Sequence, residues 1–249
     1  MDINAVCEKA GQAKILSGIH GITRVFHSGN TMPYVFRNKD AASCESFLSE
    51  PYLLVRNIDE IGYLKEKGYK GDIYADHTVY TFNRASRELL TRLGVKGDTA
   101  PLELTLKELE ARGMTGSELM IYGRIPMMIS AGCLYKNSHN DKCDKDKANG
   151  HELILTDRMF AGFPVICDCR YCYNIILNSV PLSLHAETGK IRGICAESLR
   201  LYFTVEEPKE VLEIASYFIS LYNDDPSGKE IPAPPYEAYT RGHARKGVG

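Results

Sequence analysis

From residue 52 onward, short apolar runs alternate with longer stretches in which apolar residues recur at helical spacing. "YLLVRN" precedes "IDEIGYLKEKG", "DIYADH" precedes "NRASRELLTRLG", and "DTAPLEL" precedes "TLKELEARG", after which "SELMIYGR" starts again. Each predicted helix closes on a glycine, at Gly68, Gly94 and Gly113, the residue type favoured just past a helix end. Strand starts fall about 20 to 25 residues apart, the period of βα units that build a parallel sheet.

After Arg124 this rhythm stops. In the following stretch "HELILTD" and "FPVICD" alternate apolar and polar residues around the turn-prone "MFAGFP", which predicts a β-hairpin. The rhythm returns with "SLRLYFT", a strand, and "TVEEPKEVLEIASYFISLYND", an amphipathic helix with Thr204 and Glu207 at capping-box spacing. The closing stretch is rich in Pro and Gly and predicts irregular structure. Residues 1–51 show no comparable period and predict an irregular segment with one or two irregular strands at most. The chain thus divides into 1–51, 52–124 with the βα units, 125–180 as a cysteine-rich insertion, and 181–249 with the last βα unit and tail.

A complete (β/α)8 barrel needs roughly 200 to 250 residues without insertions. The insertion and tail take much of the 249 available. The predicted fold is therefore α/β, a partial (β/α)8 TIM-type barrel of about five to six parallel strands carrying a cysteine-rich β-hairpin insertion. Such a barrel has open sheet edges, so a protein partner or a second copy of the chain is expected to cover them.

Composition adds limits rather than partners. With 44% hydrophobic and 25% charged residues the chain has the make-up of a globular protein. Thirty basic against thirty-two acidic residues leave a net charge of −2, so no global field recruits nucleic acid or anionic lipid. No stretch reaches the roughly 18 apolar residues of a membrane span, and the opening lacks the pattern of a secretory leader, so a cytoplasmic location is expected.

In a reducing compartment the eight cysteines point to metal rather than disulfides. Five of them, Cys133, Cys143, Cys167, Cys169 and Cys172, fall in the insertion. Cys133 and Cys143 form C-x9-C, and Cys169 and Cys172 form C-x2-C. Two pairs of soft thiolates suit either tetrahedral zinc or a four-iron (4Fe-4S) cluster. Cys7, Cys44 and Cys195 read as packing residues.

Chemistry in a barrel lies at the C-terminal ends of its strands. Those ends carry Asp76, His77, Glu103, Tyr122 and Arg124 as candidate catalytic groups. Arg56, Asn57 and Arg200 are candidates for binding an anionic small molecule, together with Arg241 and His243 of the basic "YTRGHARKG", which is also suited to RNA phosphate. Internal ion pairs are the competing role for each. There is no H-E-x-x-H, no G-x-S-x-G and no legible Ser-His-Asp order, so a peptidase has no visible machinery.

The same residues carry a resemblance. "YLLVRNIDEIGYLKEKGYKGDIYADHTVYTFN", "SELMIYGRIPMMIS" with Cys133 following, "LTDRMFAGFPV", "NIILNSVPLSL", "LRLYFT" and "YTRGHARKGV" together resemble the collagenase-like peptidase family U-32, over roughly residues 50 to 249 and its C-terminal barrel half. The resemblance implies an iron–sulfur protein supporting oxygen-independent hydroxylation, of an RNA pyrimidine or a related small molecule, with a prephenate-like oxygen donor. Peptide hydrolysis, recorded in the family's name, and a non-catalytic subunit completing its barrel with a partner are the alternatives. Cys133, Cys143 and Cys172 match three cluster positions of the family. The fourth is replaced in "CDKDKANG" by Asp144, Lys145 and Asp146, and Cys169 or Cys167 is expected to fill it.

Overall fold

The structure, a computed structural model, describes residues 1–35, 38–140, 144, 152–223 and 231–246. It divides into two compact units: Met1–Gly123 with Leu182–Gly249, and Arg124–Pro181.

The first unit is a nearly closed barrel-like sheet of seven parallel strands with flanking helices. In chain order its strands are β1 (Asp2–Cys7), β2 (Ile22–Phe26), β3 (Tyr52–Val55), β4 (Asp72–Ala75), β5 (Val95–Thr99), β6 (Ser117–Gly123) and, after the second unit, β12 (Ser198–Phe203). Around the barrel they run β2-β1-β12-β6-β5-β4-β3. Pairing of β1 with β12, Asn4 opposite Arg200, brings the start of the chain beside its last strand. The gap between β2 and β3 is spanned from within the chain. Leu54 N donates to Asn30 O and Met32 N to Leu54 O, both at 2.9 Å, and the Tyr52 hydroxyl reaches Val25 O.

Residues 1–51 are thus not the irregular segment expected. They supply β1, the helix α1 (Ala10–Leu16), β2 and the spanning segment, which is why the strand number exceeds five to six. The misreading has a physical source. Asn4 and Arg24 interrupt the apolar runs of β1 and β2 because they face a polar interior, and α1 is too short to show a period.

The helices α2 (Ile58–Glu66), α3 (Arg84–Arg92) and α4 (Leu106–Arg112) follow β3, β4 and β5. Capping boxes begin all three, on Asn57, Asn83 and Thr105, and glycines with φ of 71°, 81° and 84° follow them at Gly68, Gly94 and Gly113. In the α2 box Glu60 is fully buried, and its carboxyl oxygens accept from Arg56 N (2.6 Å), Asn57 N (3.2 Å) and Asn57 Nδ2 (2.9 Å).

The second unit contains β7 (Pro126–Ser130), the short helix α5 (Leu134–Ser138), β8 (Glu152–Thr156), β9 (Gly162–Asp168) and β10 (Tyr173–Leu177). Its antiparallel sheet runs β7-β10-β9-β8, with the expected β8–β9 hairpin at one side. Back in the first unit, β11 (Leu182–Ser183) pairs antiparallel with the end of β6, and α6 (Thr188–Gly193) leads to β12. The helix α7 (Pro208–Asn223) then starts on its proline, not at Thr204. Glu210 reaches back to Glu207 N at 2.7 Å, so the cap lies three residues beyond the expected position. No described helix is long and apolar enough to cross a membrane.

Gly123, the last residue of β6, has φ of +150°, and a Cβ there would lie 2.6 Å from Tyr202 Cβ and 2.7 Å from Tyr202 O. Gly123→Ala is expected to lower stability by about 2 kcal/mol through overpacking and backbone strain. Urea unfolding checks this, and an unchanged midpoint would show that β6 and β12 separate without cost.

Candidate functional site

Three strands deliver charged side chains to the C-terminal mouth of the barrel: Glu8 just past β1, Arg56 just past β3 and Asp76 just past β4. Arg56 NH2 lies 2.8 Å from Glu8 Oε1, its Nε 3.3 Å from Asp76 Oδ2, and its guanidinium carbon 3.7 Å from the centre of the Tyr34 ring. Tyr202 OH donates to Glu8 Oε1 at 2.6 Å and shares a 2.5 Å hydrogen bond with Tyr34 OH. Burial drives both phenols to hold their protons well beyond the ordinary tyrosine range.

Asp76 joins this layer to the one below. Its Oδ1 accepts from His77 N (2.8 Å), His77 Nδ1 (2.9 Å) and Arg200 NH1 (2.5 Å). Burial alone would raise its pKa, but His77, Arg200 and Arg56 hold the carboxyl well below the usual range. Arg200 also forms an ion pair with Glu118 Oε1, without hydrogen-bond alignment at Nε. Glu118 is further held by Asn4 Nδ2 (2.7 Å) and Thr99 Oγ1 (3.3 Å).

Two guanidinium groups are therefore interleaved with three carboxylates of the chain itself. Arg200 lies mid-strand, not at a strand end, and neither Arg56 nor Arg200 presents a free fork to an anion. The mouth is instead suited to proton handling, with Asp76 fixing the orientation of His77.

The other candidates are scattered. Asn57 is spent on capping α2. Tyr122 is turned out of the barrel, because the β6–β12 register shifts after Arg200 so that Tyr122 stands opposite Leu201. Its ring packs against Phe203 and Phe218, and its hydroxyl donates to Glu206 at 3.0 Å. Arg124 belongs to the second unit, where NH1 binds the carbonyls of Asn178 (3.2 Å) and Ser179. Glu103 lies in the loop after β5, one carboxylate oxygen buried without a hydrogen-bond partner among the described residues.

The tail returns to the C-terminal end of β6. Thr240 bridges Leu182, which is itself paired with Gly123. His243 is exposed, while Arg241 is half-buried and, after burial itself, is the second cause of a lowered His185 pKa. Ser183 Oγ lies 2.8 Å from His185 Nδ1, but Ser183 is fully buried and shares its hydroxyl with Tyr236 at 2.6 Å. Packing, not nucleophilic attack, is what this pair is placed for.

Glu8, Tyr34, Glu118 and Tyr202 were not among the expected residues. Glu118 alone left a signal, as a carboxylate inside an otherwise apolar strand.

In the second unit β10 lies between β7 and β9 and brings two cysteine-bearing segments together. Asn174, opposite Cys167, donates through Nδ2 to the carbonyls of Ser130 (3.2 Å) and Gly132 (2.5 Å), tying down the segment that leads into Cys133. Cys167 is buried against Tyr135, and Cys133, Cys169 and Leu153 pack on the same cluster. Burial raises the Cys167 thiol pKa, the nearby Cys133 raises it further, and the Tyr135 backbone counteracts them. Cys169 and Cys172 occupy the tight β9–β10 turn, Cys172 with φ of 55°.

These soft donors fit a thiophilic metal in kind, and a cation would relieve the mutual cost of ionising Cys133 and Cys167. Among the described residues no group of three ligand side chains stands at metal-binding spacing. Cys143, Lys145 and Asp146 lie outside the described residues. Cys7 and Cys44 are buried as packing residues should be, whereas Cys195 is exposed.

No family model, no curated protein and no solved structure matches the chain.

Proposed function

We propose that the chain acts as a family U-32-type hydroxylase, its cysteine-rich unit binding an iron–sulfur cluster and its substrate an RNA pyrimidine. The observation that carries this reading is the packing of Cys133, Cys167 and Cys169, from two separate segments, around Tyr135. Cys133, Cys167 or Cys169, Cys172 and Cys143 are the residues to hold the cluster. When bound, such a cluster supplies one-electron redox chemistry.

The chain's own residues have the acid–base part. His77, fixed through Nδ1 by Asp76, is placed to take or give a proton at its other ring nitrogen. A prephenate-like donor would meet charged groups at the barrel mouth only by exchanging with the internal partners of Arg56 and Arg200.

Anaerobic purification with iron, sulfide and zinc assays, joined to nucleoside mass spectrometry of RNA from a deletion strain, tests the reading. Four irons per chain are expected, with loss of most iron in Cys133→Ser and in the Cys167→Ser/Cys169→Ser double variant, and with a hydroxylated pyrimidine missing from the deletion strain. Full iron in the double variant would remove both thiols from the ligand set. Zinc without iron would favour a structural knuckle at the C-x2-C turn, and unchanged nucleosides would overturn the RNA substrate.

A further inference from the structure

The barrel interior holds a second space, displaced from the Arg56–Asp76 layer. A cavity of about 440 Å³ is lined by Asn4, Arg24, Tyr74, Glu118, Ser198 and Arg200. Gly116 and Glu197, which lead into β6 and β12, also line it, so it lies toward the N-terminal ends of those strands. Its volume is within the range of small-molecule sites, roughly 300 to 1,000 Å³.

One wall carries an unmet acceptor. Asn4 is only 3% exposed, and its Nδ2 donates to Glu118 Oε2 at 2.7 Å and Ser198 Oγ at 3.0 Å. The carboxylate of Glu118 accepts only, which fixes the amide orientation and leaves Asn4 Oδ1 with no partner among the described residues. A buried acceptor left unpaired costs about 1 to 3 kcal/mol, so a donor from outside the chain is favoured there.

Opposite in the β1–β2 register stands Arg24. Its guanidinium lies 4.2 Å from the centre of the Tyr74 ring and forms no ion pair among the described residues. Lys96, also on the rim, is already engaged by Asp72 at 3.6 Å. The cavity thus offers acceptors at Asn4 and Glu118, a cation at Arg24 one strand away, and aromatic walls from Phe26 and Tyr74.

From this pairing we infer that the cavity binds an α-amino acid with an apolar side chain. The ammonium group donates to Asn4 Oδ1 beside Glu118, the carboxylate meets Arg24, and the side chain lies against Phe26 and Tyr74. The site is independent of the thiols and shares with the charged layer at the barrel mouth only Glu118 and Arg200.

Calorimetric titration of the full chain with each of the twenty L-amino acids tests this, with N-acetyl-leucine and leucinamide as probes lacking the ammonium and carboxylate charge. Saturable binding of at least one apolar amino acid is expected, weakened roughly tenfold or more in Arg24→Gln and by either blocked analogue. The ligand-free unfolding midpoint of Arg24→Gln serves as the folding control. Absence of binding by all twenty overturns the inference, as does equal binding of the blocked analogues. If Arg24→Gln is misfolded, the two analogues decide the question on the unaltered protein.

Discussion

Replacing Arg200 with leucine is expected to lower stability by about 4 kcal/mol, although the substitution is apolar and sits in a strand that is otherwise all core. Arg200 is 2% exposed and contacts both Asp76 and Glu118. Its removal leaves two buried carboxylates short of positive charge, and breaking a buried pair from one side costs about 3 to 5 kcal/mol, well beyond what one leucine returns in burial. Arg200→Lys should recover only part of the loss, because an ammonium cannot present a planar fork to both carboxylates. Urea unfolding at neutral pH checks the series. A loss under about 1 kcal/mol for the leucine variant would mean that the carboxylates find other partners.

The second large effect concerns pH. Burial pushes the Glu60 carboxyl up to about 8 despite hydrogen bonds from Arg56 and Asn57 that favour its charge. The folded state therefore keeps a proton that the unfolded chain releases near 4.5. Stability attributable to this group is greatest below about 4.5, falls as pH rises, and levels off above about 8, for a total of roughly 3 to 5 kcal/mol. Glu60→Gln carries no titrating proton. Its stability should decline less than that of the unaltered chain between pH 5 and 8, by most of that amount. Parallel stability–pH curves for the two proteins would show that Glu60 is ionised in the fold across the range.

These two residues mark where sequence patterning succeeds and where it stops. The βα rhythm from Tyr52 to Gly123 was readable from its apolar periods, whereas Asn57, expected to bind an anion, instead opens α2 in a capping box with Glu60 three residues on. What the pattern could not convey is that this barrel is polar inside. A strand whose inward residues are Asn4 or Arg24 does not read as a strand beside a core, so β1 and β2 were lost in a segment that looked irregular. The same property hid Glu8, Tyr34 and Tyr202 from the candidate site. Their importance arises from neighbours on other strands, as with Glu8 and Tyr202, and no local spacing records it.

Tyr122 shows the converse error. Its place at the C-terminal end of an apolar strand made it a candidate, and one register shift turns it toward Phe218. Among the thiols, cysteine spacing singled out a segment of which the structure packs Cys133, Cys167 and Cys169 on one cluster. The choice of Cys167 as neighbour of Cys133 depended on Asn174, on a strand between them whose role no cysteine spacing contains.

The antiparallel pair of Gly123 and Leu182 fixes both gateways of the cysteine-bearing unit at adjoining positions of the barrel. A segment that leaves and re-enters through neighbouring residues imposes almost no span on its host. The host strands can close with the segment exchanged for a short turn, and the segment can be grafted onto another hairpin of equal spacing. Modularity of this kind lets the barrel and its thiol-bearing passenger change independently.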